Sequence, residues 1–299
     1  MLKYIKIIGL VSVIGLLFYC NKKTDNTETI LKGSTKILVD ETLTPIIEDQ
    51  IAVFESGYNA KIQIKSKSEN EVLLALMKDS IQIAVLSSKL SVKDSSYFVR
   101  KKIYPRQTVF ATDAIALISN KSNNDSIIAL QDITDFMKGK MKPNIRGLVF
   151  DNPNSSTVRY MNNLAGLKTS PENGIFSFKT NEEVIRYVSE NKGMIGVVGV
   201  NWLLEPTLNV EKYKKNITIL SVKALNGNQY YYPSQNNLAE KTYPLARDLY
   251  IVNCQTFSGL GMGFASFVAG ERGQRIILKS GLLPVRVPGR HIIIKKKNK

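Results

Sequence analysis

Histidine, cysteine and tryptophan are scarce in this chain of 299 residues, which contains one His, two Cys and one Trp. With His291 alone and no clustered Cys, the sequence offers a poor basis for a Ser-His-Asp triad or a His-rich metal site. A phosphate-gripping P-loop is also missing, because the glycines of residues 193–199 have the wrong spacing and no Gly-Lys-Ser or Gly-Lys-Thr follows them. We therefore assign no enzyme and expect no metal and no cofactor.

The chain also lacks an apolar run long enough for a comfortable membrane span. Lys3 and Lys6 precede an apolar stretch over residues 7–19 that ends at Cys20. A run of about a dozen residues is short of the roughly 20 that a transmembrane helix needs, but it matches the apolar region of an export signal. The sequence predicts a signal peptide over residues 1–19, with an uncleaved membrane anchor as the alternative.

Cys20 stands directly at the end of that apolar run, which suggests lipidation. Leu17 lies three residues before it, as in a bacterial lipobox, although Phe18 and Tyr19 occupy places where small residues are usual. Residues 20–32 then form a polar tether. We expect a lipid-anchored protein of the cell envelope, on the periplasmic or extracellular face of a membrane.

Removing Cys20 for lipid attachment leaves Cys254 without an intramolecular disulfide partner. Cys254 follows the apolar run of residues 249–252, and a lone Cys in such a strand pattern behaves as a small hydrophobic residue more often than as a nucleophile. We expect it to be packed in the core.

Acidic residues are in deficit, with 25 Asp and Glu against 41 Lys and Arg, a formal net charge of +16. Subtracting Lys3 and Lys6 with the signal leaves 16 − 2 = +14 on the mature part. Such a field attracts anions broadly but does not specify a fold. No nucleic-acid motif accompanies the charge, and export would separate the protein from nucleic acid. The basic tail over residues 285–299 is expected to be solvated.

The chain alternates short strand and helix patterns. A strand is predicted over residues 36–39, a helix near Pro45, a strand over residues 60–67, a capping box at Ser68 and a buried strand over residues 81–86. This repeated order predicts an α/β fold with a mostly parallel sheet covered by helices. Ligand groups should lie at the carboxyl ends of the strands, which hold Thr42, Ser68 and Ser88.

A second set of elements follows residue 118. A helix is predicted over residues 130–138 and closed by Gly139, a strand over residues 148–150, and a helix capped by Thr180. The glycines of residues 193–199 should allow close strand packing. About 280 residues suit two domains of ordinary size.

The most informative stretch is residues 150–160, where an apolar strand end, a polar turn and a helix start follow one another. Asn154, Ser155, Ser156 and Thr157, which we call the cradle, are all good N-cap residues. The first N–H groups of a helix have no intrahelical partner, so the cradle can surround an oxyanion. The alternative is that these residues only cap their own helix.

The order of several short motifs resembles that of the phosphate-binding proteins of ABC transporters, in the type II periplasmic-binding class. The resemblance covers nearly the whole mature chain. It rests on motifs at residues 33–35 with the Thr42 loop, 84–90, 111–116, 130–140, 154–157, 193–199, 243–250 and a helix over 264–279 that ends at Gly281.

In that family two α/β lobes joined by a hinge close over a dehydrated oxyanion. The resemblance implies one lobe over residues 33–118 plus 243–284 and another over residues 119–242. It also implies which residues meet the ligand. These are Thr42, Leu43, Ser68, Ser88, Ser155, Ser156 and Thr157.

Two departures from the family pattern concern the ligand. Ser88 stands where phosphate-selective members have an Asp that accepts a proton from the ligand, and Asp151 stands where they have an Arg. A carboxylate there repels an oxyanion unless it points away or pairs with Arg159. Arg159, in the first turn of the cradle helix, is our candidate for the replacement charge, with an ordinary surface arginine as the alternative.

The resemblance implies a lipid-anchored monomer that captures phosphate or a related tetrahedral oxyanion and delivers it to an ABC transporter permease. No nucleic-acid partner is expected. Two alternatives remain open at this point. One is an exported enzyme acting on a phosphorylated compound, and the other is a surface scaffold derived from the binding-protein fold.

Overall fold

The computed structural model describes residues 28–78 and 81–289. The predicted signal peptide, the lipidation site Cys20 and residues 290–299 of the basic tail lie outside these ranges. Within them, no helix is both long enough and apolar enough to cross a membrane.

The described chain alternates strands and helices over most of its length. The strands are β1 (Lys32–Asp40), β2 (Asn59–Lys67), β3 (Ile83–Leu86), β4 (Arg106–Asn120), β5 (Ile127–Ala129), β6 (Gly147–Phe150), β7 (Ile175–Ser177), β8 (Met194–Gly199), β9 (Ile217–Ile219), β10 (Ser221–Lys223), β11 (Tyr230–Tyr231), β12 (Ala246–Asn253) and β13 (Leu283–Pro284). The helices are α1 (Thr44–Gly57), α2 (Glu69–Met77), α3 (Val92–Arg100), α4 (Leu130–Met137), α5 (Ser156–Ala165), α6 (Asn181–Glu190), α7 (Asn201–Leu204), α8 (Leu208–Lys214), α9 (Gln235–Ala239), α10 (Leu260–Ala269) and α11 (Glu271–Lys279).

A sheet of ten strands runs through both halves of the molecule, in the order β2-β1-β3-β12-β4-β8-β6-β7, with β13 and β9 also paired to β4. The neighbours β2, β1 and β3 are parallel, as are β7, β6 and β8. The long strand β4 joins the two parallel groups. A mixed α/β, two-lobed architecture follows, as the sequence predicted.

The strand β4 changes partners in its middle. Residues up to Ala114 pair with β12, whereas residues from Ile115 pair with β8. The chain returns beside this point, where the Ile115 amide donates to the Leu245 carbonyl at 2.9 Å and the Tyr243 hydroxyl donates to the Ile115 carbonyl at 2.7 Å. Two crossings held side by side form the connection between the lobes.

Local sequence explains where several helices begin and end. Ser68 and Glu71 form the predicted capping box of α2. Thr180 caps α6 by accepting the Glu183 amide. Gly139 has a φ of +84°, which an L side chain rarely adopts, and it ends the turn after α4 as predicted.

The single helix predicted over residues 264–279 is wrong. The structure has two helices, α10 and α11, and Gly270 lies between them with ψ near 173°. Both helices contribute to the large hydrophobic cluster, α10 through Phe264 and α11 through Ile277. Between them, residues 270–275 carry no apolar side chain, so the apolar periodicity is interrupted at the break.

Two hydrophobic clusters cover opposite faces of the first lobe's sheet. Ile37 and Val39 on β1 belong to the large cluster, and Leu38 between them belongs to the smaller one. This alternation follows from the period of two in a strand. Cys254 is buried in the smaller cluster, as expected for a packed cysteine.

Gly196 is required for strand packing. A Cβ there would lie 2.7 Å from Ile118 and 2.9 Å from Val188, so any side chain would displace the neighbouring strand or helix. The prediction that these glycines allow close strand packing is confirmed for Gly196.

Candidate functional site

The candidate site lies between the lobes, at the carboxyl ends of the first lobe's parallel strands. Thr42 follows β1, Ser68 follows β2 and Ser88 follows β3. The cradle faces them from the second lobe, where it connects β6 to α5. Parallel strands end at one edge of a sheet, so the fold itself collects these polar loops.

Arg247 on β12 lies at the centre of the site. Its Nη1 donates to the Ser156 hydroxyl at 2.8 Å and its Nη2 to the Thr42 hydroxyl at 3.3 Å. The two hydroxyls lie 3.3 Å apart. One guanidinium therefore contacts a hydroxyl of each lobe.

Asp113 on β4 holds Arg247 in place. Its Oδ2 accepts from Arg247 Nε at 3.0 Å and Nη2 at 2.9 Å. Both side chains are almost fully buried. Burial raises the pKa of Asp113, and the arginine partly offsets that effect. We call Arg247, Asp113, Thr42 and Ser156 the inner cluster.

The Thr42 loop is fixed from both sides. The Asp40 carboxylate accepts the Thr42 amide at 3.2 Å, which caps the short turn after β1. The Thr42 carbonyl accepts from the Trp202 indole at 3.0 Å and from the Asn201 amide at 3.3 Å. The Thr42 hydroxyl is thus aimed at the interface between the lobes by its own backbone contacts.

A second arginine, Arg159 on α5, makes a separate contact between the lobes. Its Nη2 donates to the Ser88 hydroxyl at 2.6 Å and forms a salt bridge with Glu69. Glu69 Oε1 also accepts from the hydroxyls of Ser87 at 3.2 Å and Ser88 at 3.3 Å. We call Arg159, Glu69, Ser87 and Ser88 the outer cluster.

Ser155 is the N-cap of α5, and its hydroxyl accepts the Val158 amide at 3.3 Å. The cradle is therefore a true helix N-terminus, as predicted, and the helix capping that we kept as an alternative occurs there too. In the second lobe, Thr157 Oγ1 lies 2.9 Å from the Ser155 hydroxyl and donates to Asp151 at 2.9 Å.

Asp151 does not pair with Arg159, the arrangement that we considered for neutralising it. It accepts from Thr157 and, at 3.2 Å, from the Asn181 amide, while Arg159 pairs with Glu69 instead. Burial raises the pKa of Asp151. The Thr157 hydroxyl and the Asn181 side-chain amide therefore satisfy Asp151 in place of the arginine that we had considered.

Two predicted ligand residues have other roles in this arrangement. Leu43 is fully buried and its side chain belongs to the large hydrophobic cluster. Ser68 directs both its amide, at 3.2 Å, and its hydroxyl, at 2.8 Å, to Glu71. Of the eight predicted site residues, the structure brings Thr42 to Ser156 and Ser88 to Arg159 across the lobes.

Carboxyl groups surround the arginines. Burial, followed by the charges of Asp151, Asp40 and Glu71, raises the pKa of Glu41 to about 8. Burial likewise raises the pKa of Glu69. Oδ2 of the fully buried Asp40 has no hydrogen-bond partner among the described residues. Protonated carboxyls here would reduce the negative charge that opposes an anion.

The sequence did not lead us to predict Arg247 as a site residue, although the family resemblance rests in part on residues 243–250, which contain it. The strand pattern there suggested only a buried element. A charged residue inside a buried strand was the available signal, because arginine is rarely buried without a partner. Among the described residues there is no cluster of His, Cys, Asp or Glu that could hold a metal.

Two solved structures share this architecture. A protein of Clostridium perfringens, assigned as a phosphate ABC transporter substrate-binding protein and solved with bound phosphate, has a TM-score of 0.70 and 19% identity, covering 85% of this chain and 100% of that one. An ABC-type phosphate transport receptor of Vibrio cholerae has a TM-score of 0.65 and 15% identity, covering 84% and 100%. These similarities concern the fold.

Among curated proteins, an adenosylcobinamide-GDP ribazoletransferase of Alkaliphilus oremlandii is 24% identical over 116 residues. That match covers 38% of this chain and 46% of the other, so it spans less than half the length of that protein. It does not transfer an activity to this chain.

The family model of the PBP superfamily domain aligns with residues 24–272. This range contains every residue of the inner and outer clusters. The chain therefore belongs to the PBP superfamily.

Proposed function

We propose that this protein captures phosphate or a related tetrahedral oxyanion between its lobes, without turnover, and delivers it to an ABC transporter permease. It does so as an exported, lipid-anchored monomer in the cell envelope. The contact that carries the proposal is Arg247, which is buried between the lobes and touches a hydroxyl from each. A guanidinium binds oxyanions through parallel N–H groups.

The geometry suggests how an anion replaces existing contacts. The Thr42 and Ser156 hydroxyls form one hydrogen bond across the lobes, in which either can be the donor. Both hydroxyls can therefore turn toward an oxygen atom that is placed between them. The first N–H groups of α5 add donors that the helix leaves unpaired. The lobes part to admit the anion and close once its oxygens replace the Thr42 to Ser156 contact.

Closure is testable in solution. Binding should select the closed arrangement, so saturating phosphate should reduce the radius of gyration measured by X-ray scattering. An unchanged scattering curve at demonstrated saturation would argue for a pocket that is already closed.

The selectivity between phosphate and sulfate depends on Ser88, whose hydroxyl stands where phosphate-selective family members have an Asp. In the outer cluster Ser88 accepts from Arg159 and lies within donating distance of Glu69. A hydroxyl can rotate to donate to a fully deprotonated anion, which a carboxylate cannot. We expect phosphate binding with weaker rejection of sulfate than an Asp-containing site would show.

Calorimetric titration with phosphate and with sulfate at one pH tests this expectation. Strict selectivity for phosphate would overturn the Ser88 explanation. It would direct attention to Asp40, whose buried Oδ2 has no partner among the described residues and could accept a hydrogen bond from a protonated phosphate. Absence of binding to either anion would contradict the proposed function itself.

Anchoring is tested separately at Cys20. The Cys20→Ala chain should fold as before but take up no labelled fatty acid, because acyl chains attach at that thiol. Equal labelling of the variant and the parent would contradict the lipoprotein proposal. Steady hydrolysis of a phosphorylated compound would favour the enzyme alternative instead.

A further inference from the structure

Within residues 28–78 and 81–289, no helix covers one part of the first lobe's sheet. Leu38 on β1 is buried beneath α2, but the positions that precede it on the same face are exposed. In parallel pairing, neighbouring positions of β1 and β2 share a face. The exposed members, which we call the lysine face, are Lys32, Ser34, Lys36, Asn59, Lys61, Gln63 and Lys65.

The lysine face is strongly cationic. Among described residues, only Lys61 of its four lysines makes an ion pair, with Glu55 at 2.7 Å. The Lys61 side chain is 78% exposed, and such pairs add little to stability. The other lysines of the face therefore present uncompensated charge to the surroundings.

Protection of a sheet edge explains part of this pattern. Lysines on an edge strand discourage pairing with another chain, and β2 is the edge strand that carries Lys61 and Lys65. Lys32 and Lys36 lie on β1, which pairs with β2 along its whole length and with β3 only at Leu38 and Val39. The four lysines therefore spread charge over one face of two adjacent strands, beyond what a single edge strand needs.

Two neighbouring features point to what meets this face. Phe257 is 48% exposed and shares a shallow cleft with Ser34 and Lys36. Glu28, where the described chain begins, lines the same cleft and accepts from Gln255 and from the Leu260 amide, each at 2.7 Å. The preceding 27 residues, with the apolar run of the sequence, are thus attached beside the lysines.

We propose that the lysine face docks on the anionic phospholipid headgroups of a membrane. Lysines near an anionic surface gain about 1 kcal/mol each, and aromatic rings favour the interface. Lys32 and Lys36 lie at least four residues before Asp40, roughly 13 Å at 3.3 Å per residue, and Lys65 lies opposite Leu38, two residues before it. The lysine face therefore ends before the loops that carry Thr42 and Ser68.

This inference goes beyond anion capture and does not depend on it. A protein that binds no phosphate can still dock by this face. Conversely, a protein that binds phosphate tightly can leave the lysines in solvent. The vesicle experiments below measure only whether the lysine face contacts the membrane.

Amine acylation of the full chain on vesicles tests the proposal. With phosphatidylcholine vesicles containing phosphatidylglycerol, acylation of Lys32, Lys36, Lys61 and Lys65 should fall several-fold relative to vesicles of phosphatidylcholine alone. Exposed lysines of the second lobe should react equally on both, and they serve as controls. These are Lys168, Lys179, Lys192 and Lys215. Raising the salt to 1 M, where the Debye length is about 3 Å, should abolish the protection.

Matched variants distinguish the effect of where the lysines lie from the effect of the total charge of the protein. Phe257→Trp adds a reporter that brominated lipids quench on contact, while Trp202 in the site gives a constant background. Replacing the four face lysines by Gln should remove the quenching, because each lysine that is lost should lower the docked population about fivefold. Replacing the four control lysines by Gln removes equal charge and should preserve it. Equal acylation on both vesicles, or equal loss of quenching in both variants, would overturn the proposal.

Discussion

The two arginines between the lobes occupy contrasting environments. Arg247 in the inner cluster has a side chain that is 3% exposed, whereas the Arg159 side chain is 33% exposed. Asp113 and Asp40 raise the pKa of Arg247 against the opposing effect of burial. A buried guanidinium fixed by a carboxylate is pre-organised for an anion, while a half-exposed one on a helix remains adjustable.

The inner and outer clusters are expected to contribute differently to anion binding and lobe closure. In the inner cluster the ion pair of Arg247 and Asp113 joins the neighbouring strands β12 and β4, so it is kept as the lobes move, whereas the contacts to Ser156 open. The outer cluster joins Glu69 and Ser88 of one lobe to Arg159 of the other and must break when the lobes part. We expect the inner cluster to dominate affinity and the outer one to contribute to closure.

The largest expected effect is at Arg247. Arg247→Gln removes two guanidinium contacts, each worth about 1.5–3 kcal/mol, so phosphate affinity should fall on the order of 10²- to 10⁴-fold in calorimetry. It also leaves Asp113 buried and unpaired, which should lower the free energy of unfolding by about 3–5 kcal/mol. The double variant Arg247→Gln, Asp113→Asn should regain most of the stability but not the affinity. Recovered affinity in that double variant would exclude Arg247 from the anion site.

The next largest effect is expected at Arg159. Arg159→Ala should weaken phosphate binding about ten-fold to a hundred-fold, the value of one charge-assisted contact. Glu69→Gln breaks the same salt bridge but keeps the arginine's charge, so it should bind phosphate at least as well as the parent. If both variants lose affinity equally, Arg159 acts only by holding the lobes together.

A smaller effect is expected at Thr157. Its hydroxyl donates to Asp151 at 2.9 Å, and losing a neutral hydrogen bond costs about 0.5–1.5 kcal/mol. Thr157→Ala should therefore weaken phosphate binding by about two-fold to ten-fold, as the negative charge of Asp151 is less well satisfied. Thr157→Ser keeps the hydroxyl and should restore the affinity. Parental affinity in Thr157→Ala would remove this part of the cradle from the site.

The smallest effect should appear as a pH dependence that involves Glu41. The pKa of its carboxyl is raised to about 8, so it is protonated below that pH and ionised above it. Affinity for sulfate, which does not titrate in this range, should fall as the pH rises through 8. Glu41→Gln cannot ionise and should give a flat profile there, whereas an unchanged slope would assign the effect to another group.

The same group has a predictable effect on stability. Its pKa is raised from an ordinary value of 4.5, so the folded state binds more protons than the unfolded state between those two values. The free energy of unfolding of the parent should therefore decrease as the pH rises from 4.5 to 8. Glu41→Gln should show a weaker decrease in denaturant titrations.

Several elements could be predicted from local sequence because their causes are local. The capping box at Ser68, the turn at Gly139 and the cap at Thr180 each depend on residues within one helical turn. The order of short motifs, through the family resemblance, indicated a two-lobed α/β fold, and the run of N-cap residues placed the cradle at a helix N-terminus. The break at Gly270 was missed although residues 270–275 carry no apolar side chain, an interruption of the helical pattern that was visible in the sequence.

Sequence by itself determined the strands, the helix caps and the polar loops that gather at one edge of a sheet. Only the tertiary structure decided which charges meet there. Arg247 reaches Ser156 from 91 positions away in sequence, and Arg159 reaches Ser88 from 71 positions away. Such pairings depend on how the chain crosses twice between the lobes, and no local propensity encodes that distance.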